Sequence, residues 1–141
     1  MNKLSQLMNT SDQPKPSLVF ITGEASIDQV IERIIPLIKQ GYIIRVFYLS
    51  SDLSSHFSNP TLKGLEKDFI TQLKTYYISI DSSLYDPVVA LEMIESFLNN
   101  YDKEQLHFFL SDQEEWSDCI HQQLIFLGVT THQINLLEIA S

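Results

Sequence analysis

Two short polar segments contain most of the side chains that could act on a ligand. The first, residues 22–26 (TGEAS), lies between an apolar run and a helical pattern, which is where a phosphate-binding loop would occur. Such a loop needs several glycines so that the main chain can approach a pyrophosphate. Here Gly23 is the only glycine and Glu24 adds a negative charge, so we interpret Gly23 as a tight-turn residue.

The second segment is residues 111–115 (SDQEE), followed by Trp116. Glu114, Glu115 and Asp118 could serve as catalytic carboxylates, but acids in the first turn of a helix are also stabilised by the helix dipole. We prefer the second interpretation and predict that Ser111 caps this helix. Trp116 has the helical spacing of a core position, which favours a core role over a partner contact.

The histidines and the single cysteine form no pattern typical of a metal site. His56, His107, His121 and His132 are not spaced as ligands with one another or with Cys119. We predict that Cys119 is a small core residue of a helix. A lone cysteine cannot form an internal disulfide, so a reducing cytoplasm is the expected location.

Alternating strands and amphipathic helices should position these segments. Buried strands are predicted at residues 17–22, 42–50, 75–80, 105–110 and 134–139. Helices are predicted from Ser26 to Gln40, at 61–73, from Asp86 to Asn99 and from Ser111 to Gly128. Ser26 and Gln29 suggest a capping box, and Pro36 should kink the first helix or detach its last turn.

This order of elements predicts right-handed crossovers and a fold of the α/β class. Specifically, we expect a five-stranded parallel, doubly wound, Rossmann-like three-layer sandwich. Residues 17–141 should form one domain, and residues 1–16, which end in Pro-Lys-Pro, should form a loose tail. In this fold class ligands bind beyond the carboxyl ends of the strands, where both polar segments are predicted to meet.

The charge of the chain limits its partners. Nine Lys and Arg against 18 Asp and Glu give a net charge of −9, with no basic stripe. Such a chain repels nucleic acid and anionic membrane surfaces, so neither is an expected partner. A basic protein is the expected partner, and a homo-oligomer stays open.

Several short matches give the sequence a resemblance to a family. The Gly-Gly-Thr-Gly-Ile-x-Pro loop of that family aligns with residues 23–29, where Gly23 and Ile27 match. Its Cys-Gly-Pro-x-x-Met segment aligns with residues 111–116, and its Leu-Gly-Val turn matches residues 127–129. Over residues 17–140 the chain thus resembles the C-terminal NAD(P)-binding domain of ferredoxin-NADP reductase-like flavoenzymes.

The departures from that family indicate a degenerate site. The family's nicotinamide-facing cysteine aligns with Ser111, its glycine and proline with Asp112 and Gln113, and its 2′-phosphate arginine with residues 50–52 (SSD). We also expect no flavin-binding barrel ahead of the domain, because the sixteen residues of the tail cannot supply one. We therefore expect no catalytic residue and no cofactor at the degenerate loops, which comprise Gly23, Glu24, Ser26, Ser111 and Asp112.

These observations favour a non-catalytic protein-interaction or scaffold module. Its partner surface should include Glu24, Asp112, Glu114, Glu115 and Trp116 at the carboxyl ends of the strands. Two alternatives stay open. One is weak binding of a nucleotide or another small molecule at the switch point, and the other is a reductase subunit that needs a separate flavin-binding partner.

Overall fold

The computed structural model describes residues 16–50, 59–79, 88–111 and 116–137. Five strands lie within these ranges: β1 Ser17–Thr22, β2 Ile43–Ser50, β3 Leu73–Ser79, β4 Leu106–Ser111 and β5 Ile134–Leu137. The α-helices described are α1 Ile27–Lys39, α2 Pro60–Asp68, α3 Val88–Asn99 and α4 Ser117–Phe126. Single 3-10 turns at Lys103–Gln105 and Thr131–Gln133 precede β4 and β5.

The strands form one parallel sheet in the order β3-β2-β1-β4-β5. The chain builds outward from β1 to β3, then returns to the other side of β1 with β4. The order therefore reverses between β1 and β4, which is the switch point of a doubly wound sheet. This confirms the predicted α/β, five-stranded, Rossmann-like fold.

Alternation along the strands produces an apolar core on each face of the sheet. In β1, Leu18 and Phe20 pack on the face covered by α1 and α2, whereas Val19 and Ile21 pack on the face covered by α3 and α4. Strands buried on both faces read as continuous apolar runs, as these do. Full burial of one such side chain stabilises the fold by about 1.5–3 kcal/mol, so the two cores hold the three layers together.

Local rules determine several helix ends. Gly41 and Gly128 follow α1 and α4 with φ angles of 91° and 100°, and both confirm the predicted stops. The last turn of α1 stays attached despite Pro36, because the Gln40 N–H donates to the Pro36 carbonyl at 3.2 Å. Of the two effects predicted for Pro36, a kink or a detached last turn, the detachment therefore does not occur.

The region between α2 and β3 differs from its prediction. α2 begins after Asn59, whose side chain accepts from the Leu62 N–H at 3.0 Å, and it ends at Asp68 and not at residue 73. β3 begins two residues early because the Gln72 carbonyl already accepts from the Ile44 N–H of β2 at 2.7 Å. Sheet pairing here overrides the helical spacing of the apolar residues.

Tyr77 joins α2 to β3. Its hydroxyl donates to the Glu66 carboxylate at 3.0 Å, and burial together with that carboxylate raises the pKa of Tyr77. The Lys63 ammonium lies 5.4 Å from the centre of the same ring. These contacts hold α2, a helix with one fully buried residue, against the edge of the sheet.

Two predictions near α4 are wrong. Ser111 is the last residue of β4, and α4 starts six residues later at Ser117, so Ser111 does not cap that helix. Cys119 is exposed because Ile120 and Leu124 occupy the buried face of α4. Within the described ranges, no helix is long and apolar enough to cross a membrane.

Candidate functional site

The switch point brings the two polar segments together. β1 and β4 are parallel neighbours, with Ile21 opposite Leu110, so both strands end at the same level. The turn after β1 carries Gly23, Glu24 and Ser26, and Ser111 is the last residue of β4. The predicted meeting of these segments is confirmed for the residues that the structure describes.

Gly23 begins a tight turn between β1 and α1. Its carbonyl accepts from the Ser26 N–H at 3.3 Å and from the Thr22 hydroxyl at 3.2 Å. The glycines with positive φ in the described residues are Gly41 and Gly128, so Gly23 turns without the left-handed conformation. The tight-turn interpretation of Gly23 therefore agrees with the geometry.

A direct hydrogen bond between two serines crosses the switch point. The Ser26 and Ser111 hydroxyl oxygens lie 2.7 Å apart, although these residues are 85 positions apart in the chain. Both are buried, with exposures of 1% and 0%. Ser26 makes no side-chain bond to the start of α1, so the predicted capping box with Gln29 is wrong. The buried hydroxyl binds across the crevice and not along its own helix.

Ser117 also holds Ser111 in position. Its hydroxyl donates to the main-chain carbonyl of Ser111 and is itself buried. Ser117 is the first residue of α4, so the bond fixes the start of that helix to the end of β4. Ser111 is thus held through both its side chain and its main chain.

Glu24 is a half-buried residue with a defined partner. The Ser50 hydroxyl, at the end of β2, donates to the Glu24 carboxylate, and Ser50 is only 2% exposed. β2 is the neighbour of β1, with Thr22 opposite Tyr48. The carboxylate therefore lies over the carboxyl end of β2.

The buried serines and threonines of the described ranges lie at this edge of the sheet or at the helix starts beside it. They are Thr22, Ser26, Ser50, Ser111 and Ser117. The sequence analysis missed the roles of Ser50 and Ser117. A signal was present, because β1, β2, β3 and β4 each end in Ser or Thr. Buried hydroxyls need partners, and these find them at the switch point.

The remaining predicted site residues have different outcomes. Asp112, Glu114 and Glu115 lie outside the described residues. Trp116 is 4% exposed and belongs to the core beneath α3 and α4, as the preferred core interpretation had it. It therefore offers no surface to a partner. In the described part of the chain, no group of three or more His, Cys, Asp or Glu could hold a metal ion.

Comparison with known proteins places the fold. The sequence matches no protein-family model and no curated protein sequence. Among solved structures, ferredoxin-NADP+ reductase from Plasmodium falciparum with 2'P-AMP is similar over 94% of this chain and 55% of its own, with a TM-score of 0.60 and 12% identity. The chain thus spans about half the length of that enzyme.

Two further structures share the fold. Flavohemoglobin from Malassezia yamatoensis with bound FAD and heme is similar over 94% of this chain and 33% of its own, with a TM-score of 0.57 and 14% identity. A type IV self-sufficient cytochrome P450 monooxygenase is similar over 95% of this chain and 16% of its own, with a TM-score of 0.59 and 14% identity. The likeness confirms the fold of a ferredoxin reductase C-terminal domain.

Proposed function

We propose that this domain is a non-catalytic protein-interaction or scaffold module built on a reductase-type nucleotide-binding fold. The observation that carries the proposal is the buried Ser26–Ser111 hydrogen bond, which joins the two sides of the crevice at the switch point. Doubly wound domains hold their ligands in this crevice. In this chain the groups that would face a ligand bind each other.

The described residues are a poor fit for a dinucleotide. The Ser26 N–H already donates to the Gly23 carbonyl, and the Glu24 carboxylate would lie against any phosphate beside β2. Admitting a ligand would break the serine pair, and each hydroxyl that found no new partner would cost about 1–3 kcal/mol. Repulsion between the carboxylate and a pyrophosphate would add to this cost. We therefore derive no hydride-transfer step for the domain.

The charge of the chain supports a protein partner of basic character. At a net charge of −9, the protein attracts cationic surfaces and repels polyanions. Glu24 lies at the switch-point edge, and the sequence continues from Ser111 into Asp112, Glu114 and Glu115. We propose that these carboxylates form the surface that receives the partner in a cytoplasmic setting.

Calorimetric titration with NADPH and NADH at neutral pH tests this proposal. We expect no measurable heat of binding up to millimolar dinucleotide, while a ferredoxin-NADP reductase under the same conditions serves as the positive control. Micromolar affinity for either dinucleotide would contradict the proposal and favour a nucleotide site at the switch point. Flavin released on denaturing the purified protein would instead favour a reductase subunit.

A further inference from the structure

A groove runs between the edge strand β3 and helix α3, away from the switch point. It has a volume of 590 Å³ and is lined by Tyr76, Glu92, Met93, Ser96, Phe97, Asn100 and Tyr101. Among the described residues β3 pairs only with β2, so the groove lies beside the edge strand of the sheet. None of its lining residues belongs to the site described above.

The helical side of the groove consists of two parallel rows. Met93, Phe97 and Tyr101 recur every four residues and form an apolar floor, while Glu92, Ser96 and Asn100 recur in the same way and form an exposed polar rim. The eight helical residues from Glu92 to Asn99 span about 12 Å. An extended peptide covers that length with about four residues, so the groove has the dimensions of a peptide site.

The aromatic floor can accept a cation. Tyr101 stacks on Phe97 with ring centres 4.3 Å apart, and Phe97 meets Tyr76 at 6.3 Å in an edge arrangement. Tyr101 remains 37% exposed, so part of its ring is open to a partner. The Lys74 ammonium lies 5.1 Å from the centre of the Tyr76 ring, so one ring of this cluster already contacts a cation of the chain itself.

Glu92 is the charged group of the rim and gives a basic ligand a carboxylate to pair with. It is exposed, and α3 contains no Lys or Arg. Lys74 lies on the strand side, with its ammonium over the Tyr76 ring. Arginine suits the remaining groups better than lysine, because its planar guanidinium both stacks on an aromatic ring and pairs with a carboxylate through two hydrogen bonds.

We propose that this groove binds an extended, arginine-containing segment of a partner protein. One guanidinium stacks on Tyr101, two residues beyond the end of α3, and a second pairs with Glu92 within that helix. The helical stretch from Glu92 to Asn99 is about 12 Å long, and two arginines four residues apart in an extended chain span a similar length. This groove is separate from the switch-point surface of the proposed function, so a ligand can bind at either one without the other.

The test is an NMR titration of the ¹⁵N-labelled full chain with a blocked peptide that has the pattern Gly-Arg-Gly-Ser-Gly-Arg-Gly. The reference is the same peptide with both arginines replaced by citrulline, which keeps the shape and removes the charge. We expect saturable shifts of the α3 and β3 amides with the arginine peptide. The citrulline peptide should bind at least about fivefold more weakly.

Matched variants separate the groove from the general field of an acidic protein. Glu92→Gln should weaken binding about two- to fivefold, whereas Glu95→Gln removes the same charge from the same helix outside the groove and should have little effect. Tyr101→Leu should weaken binding by a similar factor, since it keeps an apolar contact and removes the ring. Phe126→Leu, at a ring 82% exposed on α4, is its control.

Several results would overturn the proposal. These are equal binding of the two peptides, equal effects of the two glutamate variants, or no shift of groove amides at millimolar peptide. Shifts at the amides of Gly23 and Glu24 alone would also reject the groove, but they would support the proposed function by placing a basic ligand at the switch-point edge. The spectrum of each variant reports whether it is folded.

Discussion

At the scale of single residues, the site depends on small hydroxyl groups that satisfy one another. Ser26 and Ser111 are each almost fully buried, and the bond between them is the link from the β1–α1 turn to β4. A buried hydroxyl that loses its partner costs more than the bond contributes, whereas removing both hydroxyls can be nearly neutral. The pair should therefore be strongly coupled.

A double-mutant cycle on the serine pair tests this coupling. Ser26→Ala and Ser111→Ala should each lower the free energy of unfolding by about 1–2 kcal/mol, because each leaves a buried hydroxyl behind. The double variant should lose clearly less than the sum of the two, with a coupling of about 0.5 kcal/mol or more. Urea unfolding followed by Trp116 fluorescence measures all four proteins. Strict additivity would show that the two hydroxyls do not interact in solution.

At the scale of elements, helix ends are defined by backbone geometry that only certain residues adopt. Gly128 follows α4 with a φ of 100°, and its N–H donates to the Ile125 carbonyl at 3.0 Å. The Lys103 ammonium also donates to the Leu127 carbonyl at 2.7 Å, where a cation favours the end of a helix. The α4–β5 connection is thus built from a glycine turn and a charged cap.

Two glycine substitutions should change stability in opposite directions. Gly128→Ala should destabilise the fold by about 1–2 kcal/mol through backbone strain at its φ of 100°. A steric clash is not the cause, because the added Cβ would lie 3.8 Å from its nearest neighbour, the Lys103 ammonium. Gly64→Ala, inside α2 with no atom within 4 Å of the added Cβ, should stabilise it by about 0.5–1 kcal/mol. Thermal and urea unfolding compare the two. A loss of stability at Gly64 would contradict the helical assignment of its backbone.

At the scale of the whole molecule, sheet order and net charge act together. The order β3-β2-β1-β4-β5 places the ends of β1 and β4 side by side, and the chain carries a net charge of −9. Exposed charges act over about 8–10 Å at moderate ionic strength. A basic partner should therefore be guided to the switch-point edge, if the proposed function holds, with a contribution that falls as salt is added.

Charge reversal at that edge tests the partner surface. The double variant Glu24→Lys, Glu115→Lys should capture less of a specific partner from a cell extract than the native protein does, and added salt should reduce capture by the native protein. The control double variant Glu32→Lys, Glu95→Lys makes the same change in net charge at exposed positions of α1 and α3. Equal capture by all three proteins, each folded by circular dichroism, would exclude this surface.

The sequence by itself determined the features that depend on neighbouring residues or on periodic spacing. Continuous apolar runs specified the strands, three- and four-residue spacing specified the helices, and Gly41 and Gly128 specified two helix ends, because each of these depends on near neighbours in the chain. Only the tertiary structure decided which polar side chains meet. Ser26 bonds Ser111 and not its own helix, and Ser50 bonds Glu24, because strand adjacency in the folded sheet supplies partners that spacing along the chain cannot reveal.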